Sequence, residues 1–124
     1  YVANRTRFQK ESHIDNKRYH LTLLAKDNTG YQNLIKLTTA AHLEGYYYKP
    51  RVDKDLLRVH AEGLIALSGC PGSELGRAIQ SGNKEKAEAV IREYQSIFGP
   101  ENYYLEIMHH PDVEFFQEWK NSII

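Results

Sequence analysis

The apolar positions of this 124-residue chain follow two rhythms that alternate along its length. From Tyr19 to Ala25 they repeat every second residue, with Tyr19, Leu21, Leu23 and Ala25 on one face and His20, Thr22 and Leu24 on the other, which predicts a strand. From Thr29 the spacing lengthens to Tyr31, Leu34, Ile35, Thr38 and Ala41, a helical stripe that follows the cap candidates Asn28 and Thr29 and ends before Gly45. A short helix is expected from Lys54 to Val59. Gly63-Leu64-Ile65-Ala66-Leu67-Ser68, a compact apolar run bounded by glycines, reads as a buried strand, and a tight Gly69-Cys70-Pro71-Gly72 turn ends it.

Ser73 and Asn83 stand where they can cap two successive helices. The second carries Ala87, Val90, Ile91, Tyr94 and Phe98 along one face and is closed by Gly99-Pro100. Tyr103 to Met108 reads as another strand. Pro111 then opens a last helix using Val113, Phe116 and Trp119, with Asp112 and Glu114 in its first turn. At the amino end, Tyr1-Val2-Ala3 reads as the tail of a strand. Asn4 to Arg18, nearly half of it charged, reads as an exposed loop or hairpin arm.

Strands separated by helical segments predict an α/β domain with a largely parallel sheet, open or closed into a barrel. In both arrangements chemistry gathers in the loops after the carboxyl ends of strands, where the Ser68–Gly72 loop and the His109-His110 pair fall. The length suits one domain. Because the chain starts at Tyr1 and stops inside an amphipathic run at Ile123-Ile124, a piece of a longer polypeptide is expected.

Composition narrows the function classes. Sixteen basic and sixteen acidic residues cancel, so any contact with nucleic acid has to come from a local arrangement. No apolar run approaches the ~20 residues that span a bilayer, and no signal-peptide pattern opens the chain, so a soluble, cytoplasmic protein is expected. The single cysteine, Cys70, forms no internal disulfide. The common phosphate-loop, dinucleotide and nucleophile-elbow motifs are absent.

Candidate chemistry rests on few residues. Taken by residue type alone, His20 is better explained by packing than by ligation, and Cys70 as a small buried hydrophobe. A cysteine in a Gly-Pro-Gly turn at a strand end can also present sulfur to a pocket, where thiolate is a good metal ligand. His109 and His110 cannot share one face of a strand, so at most one belongs to a site. His13, His42 and His60 are most economically surface residues. Tyr46-Tyr47-Tyr48-Lys49-Pro50-Arg51 offers aromatics with two cations, a combination that contacts phosphate and stacks on bases, or simply closes a helix-to-loop junction with solvated charges.

Four stretches in succession are more specific: YVANRTRF, YHLTLLAKDNTGYQNLIKLTTAAHLEGYYYKPRVDKDLL, EGLIALSGCPGSELGRAI and YYLEIMHH. Together they resemble the PHP (polymerase and histidinol phosphatase) domain family, in the branch carried by bacterial replicative DNA polymerases. The likeness runs from Tyr1 to about His110. It implies that the chain is a fragment of a distorted (β/α)7 barrel of mostly parallel strands, residues 1–124 being an internal part without the barrel's first and last strands.

The resemblance also implies a metal centre, holding zinc or manganese, in which His20 and Cys70 match ligand positions. The family's H-x-H motif, second-motif histidine, glutamate and D-x-H pair would lie outside this chain. His110 matches a histidine that would support the site without being a ligand. Lys49 and Arg51 become candidate phosphate or DNA contacts. For the parent protein the likeness implies template-directed DNA synthesis with magnesium at a polymerase site outside this chain. DNA primer-template, deoxynucleoside triphosphates and other holoenzyme subunits would be its partners, and the PHP region would give either a 3′-5′ exonuclease or a scaffold. A stand-alone PHP phosphoesterase and a PHP module with a degenerate site are the alternatives. Taken alone, the fragment is expected to be inactive and poorly stable.

Overall fold

A computed structural model describes residues 1–109, 112 and 114–123; His110, Pro111 and Val113 lie outside the described residues, as do the side chains of Phe116 and Trp119. The strands are β1 (Val2–Ala3), β2 (Arg18–Tyr19), β3 (Thr22–Ala25), β4 (Leu64–Leu67) and β5 (Tyr103–Tyr104). The helices are α1 (Asn28–Leu43), α2 (Lys54–Val59), α3 (Glu74–Gln80), α4 (Lys84–Phe98) and α5 (Glu114–Ile123). This is the expected α/β succession with shorter strands. Tyr19 to Ala25 is divided, because Tyr19 pairs back to Val2 while Thr22 to Ala25 pair forward to β4. Only Tyr103 and Tyr104 pair in the last strand, since beyond them the Glu106 N–H donates to the Ser68 hydroxyl at 2.9 Å.

The expectation of mostly parallel strands is corrected. β1 and β2 are antiparallel, β3 and β4 are antiparallel with Thr22 opposite Leu67 and Ala25 opposite Leu64, and only β4 and β5 pair in parallel. Among the described residues the strands form a two-stranded and a three-stranded sheet, and no closed barrel. The physical reason lies between β3 and β4. One crossover helix would return the chain for a parallel strand. Here α1 runs out and the segment through Val52 and α2 runs back, so β4 enters beside the end of β3.

Two contacts fix that return. Asp27, rather than Asn28 or Thr29, caps α1, its carboxylate accepting from the Gly30 N–H at 2.8 Å. Gly30 sits so close to Gly63 that an added Cβ would lie 1.9 Å from the Gly63 carbonyl oxygen. The Lys26 N–H donates to that same carbonyl at 3.0 Å, and the Asn33 amide donates to the Glu62 carbonyl at 2.9 Å. Helix start, strand end and strand start are thereby pinned at one point.

The core lies between the three-stranded sheet and the helices. Leu64 and Ala66 are fully buried, as is Leu57 of α2, and they pack with Leu37, Leu75, Val90, Tyr94, Phe98 and Tyr103. α4 turns its expected face inward, and the Tyr94 and Tyr103 rings stack at 5.5 Å. Burial raises both phenols well above their ordinary pKa, so both stay neutral.

The charged Asn4–Arg18 stretch is not a free arm. Asp15 is completely buried, accepting from the Arg5 guanidinium and from the Glu11 N–H at 2.8 Å. Arg7 reaches Asp53, itself the cap of α2, at 3.1 Å. The stretch is stapled by its own charges to the start of α2.

Gly30→Ala should destabilise the protein by roughly 3 kcal/mol, since backbone rather than a flexible side chain occupies the Cβ position. Gly82→Ala is the control, because nothing lies within 4 Å there. It should cost about 1 kcal/mol, from its left-handed backbone alone. Urea unfolding of the two variants checks the difference.

A pH dependence follows from Asp15. The hydrogen bonds from Arg5 hold its carboxyl below the ordinary value. A folded pKa below the unfolded one gives stability that is present above about pH 4 and lost as pH falls through the folded value. Asp15→Asn should flatten the acid limb of a stability-versus-pH curve. An unchanged limb would show that other groups govern acid unfolding.

Candidate metal-binding site beside a basic pocket

The site is built by the turn that ends β4. After Leu67 the chain passes through Ser68 and Gly69, whose φ of +77° suits glycine, and Cys70 follows. The Ser73 N–H closes the turn on the Cys70 carbonyl at 2.8 Å, and the Ser73 hydroxyl caps α3 by accepting from the Gly76 N–H at 3.0 Å. Gly76 permits this packing, because a Cβ there would strike the Pro71 carbonyl oxygen at 2.6 Å.

His20 arrives from the opposite direction. It forms a parallel bridge to Ser73, its backbone N–H pointing at the Gly72 carbonyl at 3.4 Å. This places the imidazole Nδ1 at 3.1 Å from the Cys70 Sγ, across fifty positions of sequence. The Gly72 N–H donates to the same sulfur at 3.3 Å. His20 is exposed and Cys70 half-buried, and the Tyr1 ring lies 5.1 Å from the imidazole.

An imidazole nitrogen and a thiol sulfur are the donors that zinc and related transition metals prefer. A tetrahedral ion bonded to both would hold them about 3.5 Å apart, from bonds of about 2.0–2.1 and 2.3 Å. The observed 3.1 Å needs only a small opening. Space is present, since a Cβ on Gly72 would stand 3.4 Å from the sulfur and 3.6 Å from Nδ1. The pair therefore fits such an ion as part of a ligand set. Among the described residues no group of three or more His, Cys, Asp or Glu side chains could hold one.

Beside the pair opens a pocket of about 420 Å³, lined by Lys17, Arg18, His20, Gly72 and Arg77 among others. Sequence reasoning did not single out Lys17, Arg18 or Arg77. No motif marks them, and nearby acidic residues in the sequence suggest that they are neutralised.

Lys49 and Arg51 are not brought to this place. Lys49 is exposed and lines no part of the pocket. Arg51 is corrected as a phosphate contact. It is fully buried, donating to the carbonyls of Gly45 and Asp15 at 2.9 Å, Gln9 at 3.0 Å and Arg7 at 3.1 Å. Its planar fork ties the charged arm to the end of α1, and no phosphate reaches it. His110 lies outside the described residues. His42, read as a surface residue, is exposed and directs Nδ1 to the Thr38 carbonyl at 2.8 Å.

Fold and pair together define an α/β domain with a nitrogen–sulfur donor pair at a strand end. A family model described as PHP domain matches residues 2–110. The chain belongs to the PHP domain family. The DNA polymerase III subunit alpha of Treponema pallidum (strain Nichols) is 48% identical over 111 residues, covering 89% of this chain and 10% of that protein. That of Thermus aquaticus is 50% identical over 112 residues, covering 89% and 9%. The subunit of Chlamydia pneumoniae is 39% identical over 128 residues, covering 96% and 10%. The chain thus spans about a tenth of the length of these relatives. No helix among the described residues is long and apolar enough to cross a membrane.

Arg51→Ala should cost at least about 3 kcal/mol, because four carbonyl oxygens, two of them buried, lose their donor together. Lys49→Ala should stay within about 0.5 kcal/mol. Chemical denaturation of both variants checks this. Equal effects would mean that Arg51 does not hold the arm.

Proposed function

We propose that this chain is an internal part of the PHP domain of a bacterial DNA polymerase III alpha subunit, and that the whole polypeptide carries out template-directed DNA synthesis on a primer-template. The support is the identity to relatives of that name over nearly the whole chain. On this reading the two sheets are stretches of one distorted (β/α)7 wall, continued by residues outside these 124. Deoxynucleoside triphosphates and the other subunits of the replicative assembly are the partners, with magnesium at a polymerase site elsewhere in the polypeptide.

Within the PHP region His20 and Cys70 are proposed as two ligands of a divalent metal site, zinc or manganese, completed by other parts of the polypeptide. The proposed reaction is hydrolysis of a 3′-terminal phosphodiester, a proofreading 3′-5′ exonuclease. The observation that carries this reading is the 3.1 Å approach of Nδ1 to Sγ. Bound there, a divalent ion supplies Lewis-acid polarisation of a phosphoryl oxygen and activates water for attack.

The chain's own residues do the rest. The bridge of His20 to Ser73 fixes the imidazole's position, and the Gly72 N–H holds the sulfur. Nδ1 faces that sulfur, and ligation through this nitrogen requires that it carry no proton. The cations of the adjoining pocket draw an anionic substrate toward the pair.

Cys70→Ala and His20→Ala, made in the full-length protein, should each lower bound transition metal by about tenfold or more and reduce release of the 3′-terminal nucleotide. Nucleotide addition should stay near wild type. Metal is read by elemental analysis after gel filtration, and folding by thermal unfolding. Full metal occupancy in both variants would return the pair to a structural role.

A further inference from the structure

We propose that Arg18 and Arg77, with Lys17 beside them, seat a phosphodiester of single-stranded DNA next to the His20–Cys70 pair; this rests on the phosphoesterase reading above and names the groups that hold its substrate. The chain has seven arginines. Arg5, Arg7, Arg58 and Arg92 are held by carboxylates, and Arg51 is enclosed by four backbone carbonyls. Arg18 and Arg77 make no ion pair among the described residues, and both line the pocket of about 420 Å³.

Their lack of a carboxylate is built in. Asp15, three positions before Arg18, is engaged by Arg5. Glu74, three positions before Arg77, is engaged by Lys54 at 2.8 Å and by the Tyr94 hydroxyl at 3.0 Å. Aromatic rings steady the two guanidinium groups instead: Arg18 lies 5.2 Å from the Tyr1 ring centre and Arg77 lies 5.8 Å from that of Tyr19. Such contacts orient a guanidinium without consuming its N–H groups.

The Arg18 Nε is shielded from solvent and has no hydrogen-bond partner among the described residues. Its Nη1 donates to the Asn16 carbonyl at 3.0 Å. An arginine without a carboxylate partner offers its outward N–H groups to a phosphate oxygen as charge-assisted donors. Among the described residues no aspartate or glutamate lines the pocket. His20 belongs to both the pocket wall and the donor pair, which sets the seat directly beside the proposed metal.

Free phosphate and a phosphodiester share this chemistry, and the test separates them. The full-length protein is treated with an arginine-selective dicarbonyl reagent, and the modification rates of Arg18 and Arg77 are read by peptide mass spectrometry. A single-stranded oligonucleotide at ten times its Kd should slow both by about tenfold, as mass action requires. Inorganic phosphate at the same concentration should leave them nearly unchanged. Equal protection by phosphate would overturn the polynucleotide assignment, and no protection by either would overturn the seat. Cys70→Ala separates this from the metal reading. Lost metal with retained protection supports both. Unchanged metal with protection sinks the metal role alone, and retained metal in the wild type without protection sinks the seat alone.

Discussion

The candidate site depends on β3 and β4 being antiparallel. Thr22 lies opposite Leu67, so the chain just before β3 and the chain just after β4 meet at one end of the sheet. That is where His20 and Cys70 come together. Had the strands been parallel, His20 at the start of one and Cys70 past the end of the other would stand apart by the length of four residues, about 13 Å. The parallel sheet expected from the order of elements is therefore incompatible with the shared position of these two residues. The structure resolves that conflict in favour of the pair.

What enforces the antiparallel arrangement is backbone packing rather than side-chain attraction. Gly30 against Gly63 allows α1 to start where β4 starts, and Asp27 caps the helix at the same point. Any Cβ there would push helix and strand apart, so the absence of two side chains sets the direction of the return. The returning segment is held in turn by Val52, which bridges to Val2 and exchanges backbone hydrogen bonds with Tyr1 and Ala3. Arg51, the residue before it, is buried beneath the amino-terminal arm. A polar residue in a loop thus acts as a core residue for a stretch with few apolar side chains of its own.

Periodicity made the longer helices legible, and α1 to α4 each carry a side-chain cap, Ser73 and Asn83 serving α3 and α4. The strands were less so. Four residues at most pair in any of them, and a period of two over four residues carries little information about partner or direction. Arg51 and Lys49 looked alike in sequence, two cations flanking a proline. Burial separates them completely, and burial at that position depends on carbonyls contributed from positions 7 to 45. His20 and Cys70 became candidates through resemblance to a family, since neither residue type alone distinguishes packing from ligation. Their proximity is a property of strand direction, which local pattern does not encode.

A net charge of zero concealed the most polar feature of the molecule. The acids are not spread evenly against the bases; several are spent on fastening the chain to itself, Asp15 and Glu11 on Arg5, Asp53 and Glu44 on Arg7, Glu74 and Glu93 on Lys54. Each of these three bases engages two acids, so six acids leave the surface field along with three bases. Where the nearest acid has been drawn inward, as beside Arg18 and Arg77, the base is left without a counterion. A balanced total then coexists with a pocket whose charged lining, among the described residues, is positive. Electrostatic attraction at that range is set by the local arrangement, because at physiological ionic strength charges beyond about 8 Å are largely screened. The stapling of the charged arm and the basicity of the pocket are therefore one effect: the carboxylates that hold the fold are the ones missing from the site.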